Sequence, residues 1–435
     1  MMPDEASLVN NRENGEVKGM KLLKGNILFS RSRYELAVFE NSYIAVENGI
    51  VEGIYEELPG KYRGQQIEEF GNGVIIPAFS DLHVHAPQYP QRALAMDKLL
   101  QDWLYDYTFP LEAKYDDYGF ARQVYDAFVQ DLIANGTMHA CIFGTIHSQA
   151  TGYLLELLEK KGLLAFVGKV NMDKASPEYL CETMEDSLRE TEAFLERYSG
   201  NRMSKPIITP RFAPTCSQEL LNGLGVLSKK YGAGLQTHLV ESIWEAKQAC
   251  LDFPEVSCDT EIYEKAGLME NGPVVAAHFI FPSEDDIRIL KAHGGYAVQC
   301  PDATINITAG IMRNSFLAEK GVNLALGSDI AGGHSIGIYG QAAQSVQLSK
   351  IIEFYKPGQD RRIEFKEAFY MATKQGGEIF GKVGSFEKGY RFDAIVIDSL
   401  EDPFMKLTPQ QIVERFCYCG TKENIIARYL GGERI

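Results

Sequence analysis

Near the start of the chain, apolar and polar residues alternate in short runs. From "KLLKGNILFS" through "YIAVENGIVEGIYEEL" these runs are rich in Val, Ile and Tyr and are broken by Asn-Gly. That pattern predicts short antiparallel strands joined by tight hairpins. The same character returns at the far end, in "DAIVIDS" and "ENIIARYLGGERI". Two β-rich ends predict one small β-domain built from both termini.

Between them the rhythm changes to strand, then helix, repeatedly. "GVIIPAFSDLHVH" predicts a first strand, and "DDYGFARQVYDAFVQDLIANG" a helix with Phe120, Val124, Phe128 and Leu132 at spacing four and Asn135-Gly136 as its C-cap. "HACIFGTI", "LAFVGKVNM", "KPIITPRFAP", "AGLQTHLVE", "GPVVAAHFIF", "GGYAVQC" and "GVNLALGSDI" continue the series to eight strands. Helical stretches such as "SPEYLCETMEDSLRETEAFLERYSG" and "SQELLNGLGVLSKKYG" separate most of them. Eight strands alternating with helices predict an α/β fold, a closed parallel (β/α)8 barrel. A doubly wound open sheet is the alternative, but no G-x-G-x-x-G follows an early strand. The expected division is a disordered tail over 1–19, the β-domain over 20–77 and 386–435, and the barrel over 78–385.

Composition narrows the class. A hydrophobic content of 45% with 23% charged residues is that of a soluble globular protein. The net charge of −16 repels phosphate backbones and anionic membranes, which excludes a polynucleotide clamp and leaves a small molecule as the partner. The opening "MMPDEASLVNNRENGEVKG" lacks the apolar core of a secretory signal, and no apolar run reaches membrane-span length, so a cytoplasmic setting is expected. The eight scattered cysteines are then expected as reduced thiols, with Cys417 and Cys419 as strand residues.

The candidate chemistry lies at the strand ends, where barrels of this kind carry their sites. Only eight histidines occur in the chain, and "SDLHVHAPQYPQ" spends two of them, His83 and His85, on the end of the first strand. Residues i and i+2 of a strand face the same way, so the pair converges. His238 ends the fifth strand, His278 the sixth and Asp329 the eighth. Five imidazole and carboxylate groups on one rim point to a bound metal, zinc first and iron second. Glu241, three residues past His238, suits a proton shuttle. Lys169 raises the alternative of a carbamylated lysine bridging two metals, but no second ligand cluster accompanies it, and a salt-bridged lysine is expected. His147 and His334 fall near rim loops, while His139 and His293 are expected to be structural.

The combination resembles the amidohydrolase superfamily and, within it, the guanine deaminases. "HVHAPQYPQ" with "LLQDWLYDYTFPLEAKY" carries the most specific part of the resemblance. "GKVNMD", "ITPRFAPTCS", "THLVES", "GSDIAGG" and "EAFYMATKQGGEIFGKVGSFEKGYRFDAIVID" extend it over nearly the whole chain from Leu22. The resemblance implies a zinc-bearing barrel with a β-sandwich made from both termini, one zinc per chain, and a homodimer. It implies His83, His85, His238 and Asp329 as zinc ligands, with Glu241, Asp329 and His278 as the catalytic groups. Gln88, Arg211 and Phe212 are implied as substrate contacts, beside His85 and His238. The stretch "CPDATINITAG" departs from the family's Cys-Pro-Thr-Ser-Asn at Asp302, Ala303 and Thr304, and "GGHS" also varies.

The implied reaction is hydrolysis of guanine to xanthine and ammonia, with Glu241 moving a proton from water to the ring. Two alternatives stand beside it: deamination of another aminated heterocycle, such as a pterin or triazine, and a non-catalytic scaffold of the same fold. An intact ligand set speaks against the scaffold.

Overall fold

The computed structural model describes residues 19–400 and 402–435. The predicted tail therefore lies outside the described residues, apart from Gly19. The alternating N-terminal segment folds as β1 (Met20–Ser32), β2 (Glu35–Glu47), β3 (Ile50–Tyr55) and β4 (Ile67–Pro77). β1, β2 and β3 pair antiparallel, and the predicted Asn48-Gly49 turn joins β2 to β3. Both residues take positive φ there, which the short hairpin requires.

The barrel follows without a break. β5 (Phe79–His85) starts two residues after β4, and β6 (Thr137–Phe143) lies beside it. The third stave is β7 (Leu164–Gly168) continued by β8 (Val170–Asn171), and the fourth is β9 (Ser204–Pro206) continued by β10 (Thr209–Pro210). β11 (Leu235–Leu239), β12 (Val274–His278), β13 (Tyr296–Gln299) and β14 (Asn323–Leu326) complete the eight predicted staves. Neighbours pair parallel within two four-stranded sheets, and β8 pairs with β10 between them. A bridge from Ile208 to Leu235 joins the halves on one side. β5, β6 and β12 are buried at every residue, as expected of strands covered on both faces.

The crossover helices are capped, and the predicted Asn135-Gly136 stop is among the caps. Asp117 accepts bonds from the backbone N–H groups of Gly119 and Phe120 to start the helix Tyr118–Ala134, and Gly136, at φ +79°, follows its end. Phe128 and Leu132 on its inner stripe are fully buried. Ser217 caps Gln218–Tyr231, which stops at Gly232 in the left-handed region.

The chain ends return as β15 (Ala394–Ile397), β16 (Ile425–Leu430) and β17 (Glu433–Arg434). Both termini form one seven-stranded sheet, ordered β17-β16-β15-β4-β1-β2-β3. Its apolar face encloses a core of its own that includes Ile27, Phe29, Ile75, Phe392 and Tyr429. One expectation is corrected here: Cys417 and Cys419 lie on a helix, Pro409–Cys419, not on a strand. Thr408 caps it with a reciprocal Gln411 bond, so the cap and the spacing of Ile412, Val413 and Phe416 outweigh the local β-character. All eight cysteines are unpaired. Among the described residues, no helix is long and apolar enough to cross a membrane.

The barrel and the terminal sheet meet at Asp393, which is fully buried. Its carboxylate accepts from His139 Nε2 at 3.1 Å and from the Gly431 backbone at 2.6 Å, and it pairs with Arg391 Nε at 3.1 Å. His139 in turn bonds Ser80 through Nδ1 at 3.0 Å, so this histidine is structural, as expected. Burial alone would raise the carboxyl's pKa, but the Arg391 charge and these bonds hold it below the usual carboxylate range. A depressed carboxyl contributes stability above the unfolded-state pKa, near 3.9, and loses it as pH falls through the folded value. Asp393→Ala leaves Arg391 and His139 facing an empty buried site. It should cost about 3–5 kcal/mol of unfolding free energy at neutral pH, measured by denaturant titration, with the deficit shrinking in acid.

Candidate active site

The polar rim depends on how β5 and β14 close the barrel. Asp81 accepts Ser328 N at 3.0 Å and Ser328 Oγ at 2.5 Å, while Asp329 N donates to the His83 carbonyl at 2.9 Å. This stitching requires Gly327, because a Cβ there would lie 2.8 Å from His83 Cβ and 3.0 Å from Cys300 Sγ. Val240, His278 and Asp329, at or just beyond the strand ends, take left-handed φ of 47°, 70° and 46°. Non-glycine residues hold such values only where the surroundings over-determine them.

His83, His85, His238, His278 and Asp329 converge at this rim. Asp329 Oδ1 lies 3.2 Å from His83 Nε2 and 3.6 Å from His85 Nε2, and Oδ2 lies 3.8 Å from His278 Nε2. His85 Nε2 and His238 Nε2 face each other at 3.0 Å. The Arg211 carbonyl takes the His238 Nδ1 hydrogen at 2.7 Å, which leaves Nε2 bare toward the cluster. Both ring nitrogens of His83 are buried without a hydrogen-bond partner, as is His278 Nδ1. Burial first, then the neighbouring imidazoles, hold His85 and His238 well below the ordinary imidazole range, and His278 is pushed down to about 4, chiefly by burial. These histidines are therefore neutral, the form that binds metals. An unpartnered buried nitrogen is costly, and a cation in the cluster would take one ring nitrogen of His83 together with its neighbours, so the donor set fits a metal ion. Two overlapping groups offer ligand atoms, His83 with His85 and His238, and His83 with His278, Cys300 and Asp329.

Beside the cluster opens a cavity of about 540 Å³, lined by all the candidate residues except His83, which lies beneath them. Glu241 faces it with an oxygen 3.6 Å from His278 Nε2. Burial, and next the Asp329 charge, push its carboxyl up to about 8. Its backbone N–H is held by Glu245 at 2.9 Å. Arg211 also lines the cavity, and its Nη1 and Nη2 reach the two oxygens of Glu112 at 2.6 and 3.2 Å. Gln88 Nε2 donates to the same Glu112 at 2.9 Å. Phe212 lies with its ring centroid 6.4 Å from that of Trp244.

The profile of the amidohydrolase family matches residues 74–434. A guanine deaminase of Dictyostelium discoideum is 32% identical, over 96% of this chain and 98% of the relative. The chain belongs to the amidohydrolase family, among its guanine deaminases. The Escherichia coli (strain K12) guanine deaminase is 28% identical over 86% of this chain and 84% of its own. The crystal structure of a guanine deaminase from C. acetobutylicum, with guanine bound in its active site, superposes with a TM-score of 0.93 at 40% identity. It covers 96% of this chain and 100% of that one.

Within this amidohydrolase, several expectations resolve. Lys169 sits in the break between β7 and β8 with Nζ on Glu182 at 2.6 Å and on the Val170 carbonyl, a salt-bridged lysine. His147 and His334 do not line the main cavity. His293 pairs with Glu264 at a helix end. The departing residues Asp302, Ala303 and Thr304 are buried outside the cavity lining, and Asp302 accepts from the Ser335 backbone in the neighbouring loop and from Gln341 on the helix Ile338–Tyr355. The variation therefore falls on the loop frame. Glu112, Trp103, Phe109 and Trp244 were not singled out as site residues, although Glu112 lies within the distinctive "TFPLEAKY". No periodicity links it to Arg211, 99 residues further on.

If a cation satisfies the orphaned imidazoles, it stabilises the folded state by mass action. Metal-stripped protein titrated with a divalent ion to a hundred times its Kd should gain about 2.7 kcal/mol, read by calorimetry. His83→Ala should abolish most of that gain.

Proposed function

We propose that the chain hydrolyses guanine to xanthine and ammonia, using one zinc ion, or iron, held by His83, His85, His238 and Asp329. The observation that carries this reading is the junction of the histidine cluster and Glu241 with the Arg211–Gln88 wall in one cavity. The guanine deaminase relatives support the same substrate. A zinc-bound adenosine deaminase from Xanthomonas campestris shares the fold at 18% identity with a TM-score of 0.79.

A metal bound there supplies Lewis acidity, which brings the pKa of water to about 7. Arg211 and Gln88 offer N–H donors to the carbonyl at C6 and orient the base, with Phe212 against its ring. Glu241, with a carboxyl that changes charge near neutrality, takes a proton from the attacking water and delivers it to the ring nitrogen beside C2. His278, between Glu241 and Asp329, positions that water. Asp329 accepts the second proton as the new C2–O bond forms. Asp329 then gives that proton to the amino nitrogen as the C2–N bond breaks, and the group leaves as ammonia. We read the terminal sheet, curled over its own core, as a sandwich domain over 20–77 and 386–435 that supports a barrel over 78–385. The family resemblance supports a homodimer.

Purified protein should convert guanine to xanthine with one ammonia released per base, followed by the change in ultraviolet absorbance. Guanine left unchanged by metal-replete protein would overturn the reading. Glu241→Gln removes the proton carrier while keeping the shape, so turnover should fall by about 10²–10⁴-fold with metal content unchanged. A loss of only a few-fold would assign the shuttle elsewhere.

A further inference from the structure

Glu112 belongs to no metal ligand set and does not line the cavity, yet it organises the wall that meets the base. It is 3% exposed, and its two oxygens accept three bonds, two from Arg211 and one from Gln88. The guanidinium is also held over the Phe109 ring, 5.2 Å from its centroid. A guanidinium has five N–H groups and no acceptor. Two are used on Glu112, and the others form no bond among the described residues, so they remain for a ligand. Gln88 could in principle present either its oxygen or its nitrogen to the cavity. Glu112 removes that choice, because a carboxylate accepts and never donates. It fixes Nε2, whose second N–H stays free, while the Gln88 oxygen takes the Ala331 N–H at 3.4 Å.

We propose that Glu112 is the positioning residue that makes this wall donor-only and thereby restricts the substrate to aminated bases carrying a carbonyl oxygen opposite Arg211 and Gln88. This rests on the guanine deaminase reading of the cavity. A base with an amino group at that position places N–H against N–H and leaves the buried donors unpaired, a mismatch that sites of this kind reject strongly. Glu112 also balances the Arg211 charge beside a cation-binding cluster. That arrangement reaches the cluster directly, since the Arg211 carbonyl holds His238.

The test keeps the reacting C2 amino group constant and changes only position 6, comparing guanine with 2,6-diaminopurine. Wild-type turnover of guanine tests the parent reading alone; its absence fails that reading and this proposal with it. With wild-type turnover established, Glu112→Gln offers one acceptor oxygen where three donors need satisfaction, and it frees the Gln88 amide to flip. Guanine kcat/KM should fall about 100-fold, and the guanine-to-diaminopurine ratio should fall at least tenfold, with metal content and circular dichroism unchanged. Glu112→Asp keeps the charge but cannot reach both partners, so it should raise the guanine KM about tenfold more than it lowers kcat and shift the ratio in the same direction. It carries the test if the glutamine variant does not fold. Equal losses on both bases, with the ratio unchanged, would reduce Glu112 to a structural ion pair and overturn the proposal. Unchanged guanine kinetics would do the same.

Discussion

The closure of β14 onto β5 is the contact from which the rest of the site follows. Asp81 is buried entirely, and its carboxyl is pushed up to about 7 by that burial, against the opposing bonds from Ser328 and the His83 backbone. Those bonds set the last stave against the first with no side chain between them at Gly327. His83 and His85 then stand opposite Asp329 at 3.2 and 3.6 Å. Without this seam these side chains would sit on separate edges of an open sheet, and barrel closure is what brings chain positions 246 residues apart to one rim.

Arg211 couples the two halves of the cavity. Its carbonyl orients His238 toward the cluster, while its guanidinium is clamped by Glu112. In the proposed reading, binding of the base and presentation of the cluster share one residue on one stave end. Such coupling limits where the reacting carbon can lie relative to Glu241, and positioning of this kind accounts for a large part of catalytic acceleration.

The terminal sheet contributes rigidity at a distance. β4 runs directly into β5, so the strand that carries His83 and His85 is anchored at its N-terminal end in the seven-stranded sheet. Asp393 ties that junction to β6 through His139, and the Ala78 backbone N–H donates to the Asp393 carbonyl at 3.0 Å. A buried, fully bonded network holds its members in one arrangement, and here that arrangement fixes the direction of the first stave.

Much of the architecture was legible because it is written in local periodicity. Eight apolar runs separated by helical spacing, the Asn135-Gly136 cap and the Asn48-Gly49 turn all act within a few residues, where backbone sterics and hydrogen bonding decide the outcome. The H-x-H pair and the residues at strand ends were readable for the same reason, since the barrel's geometry converts strand-end position into rim position. What only the tertiary structure decided were the partnerships across the barrel. Asp81 finds Ser328, Glu112 finds Arg211 and Gln88, and Asp393 finds His139, over separations of 247, 99, 24 and 254 residues. No pattern along the chain marks a carboxylate for one distant partner, because a buried charge is matched only once folding has excluded water around it.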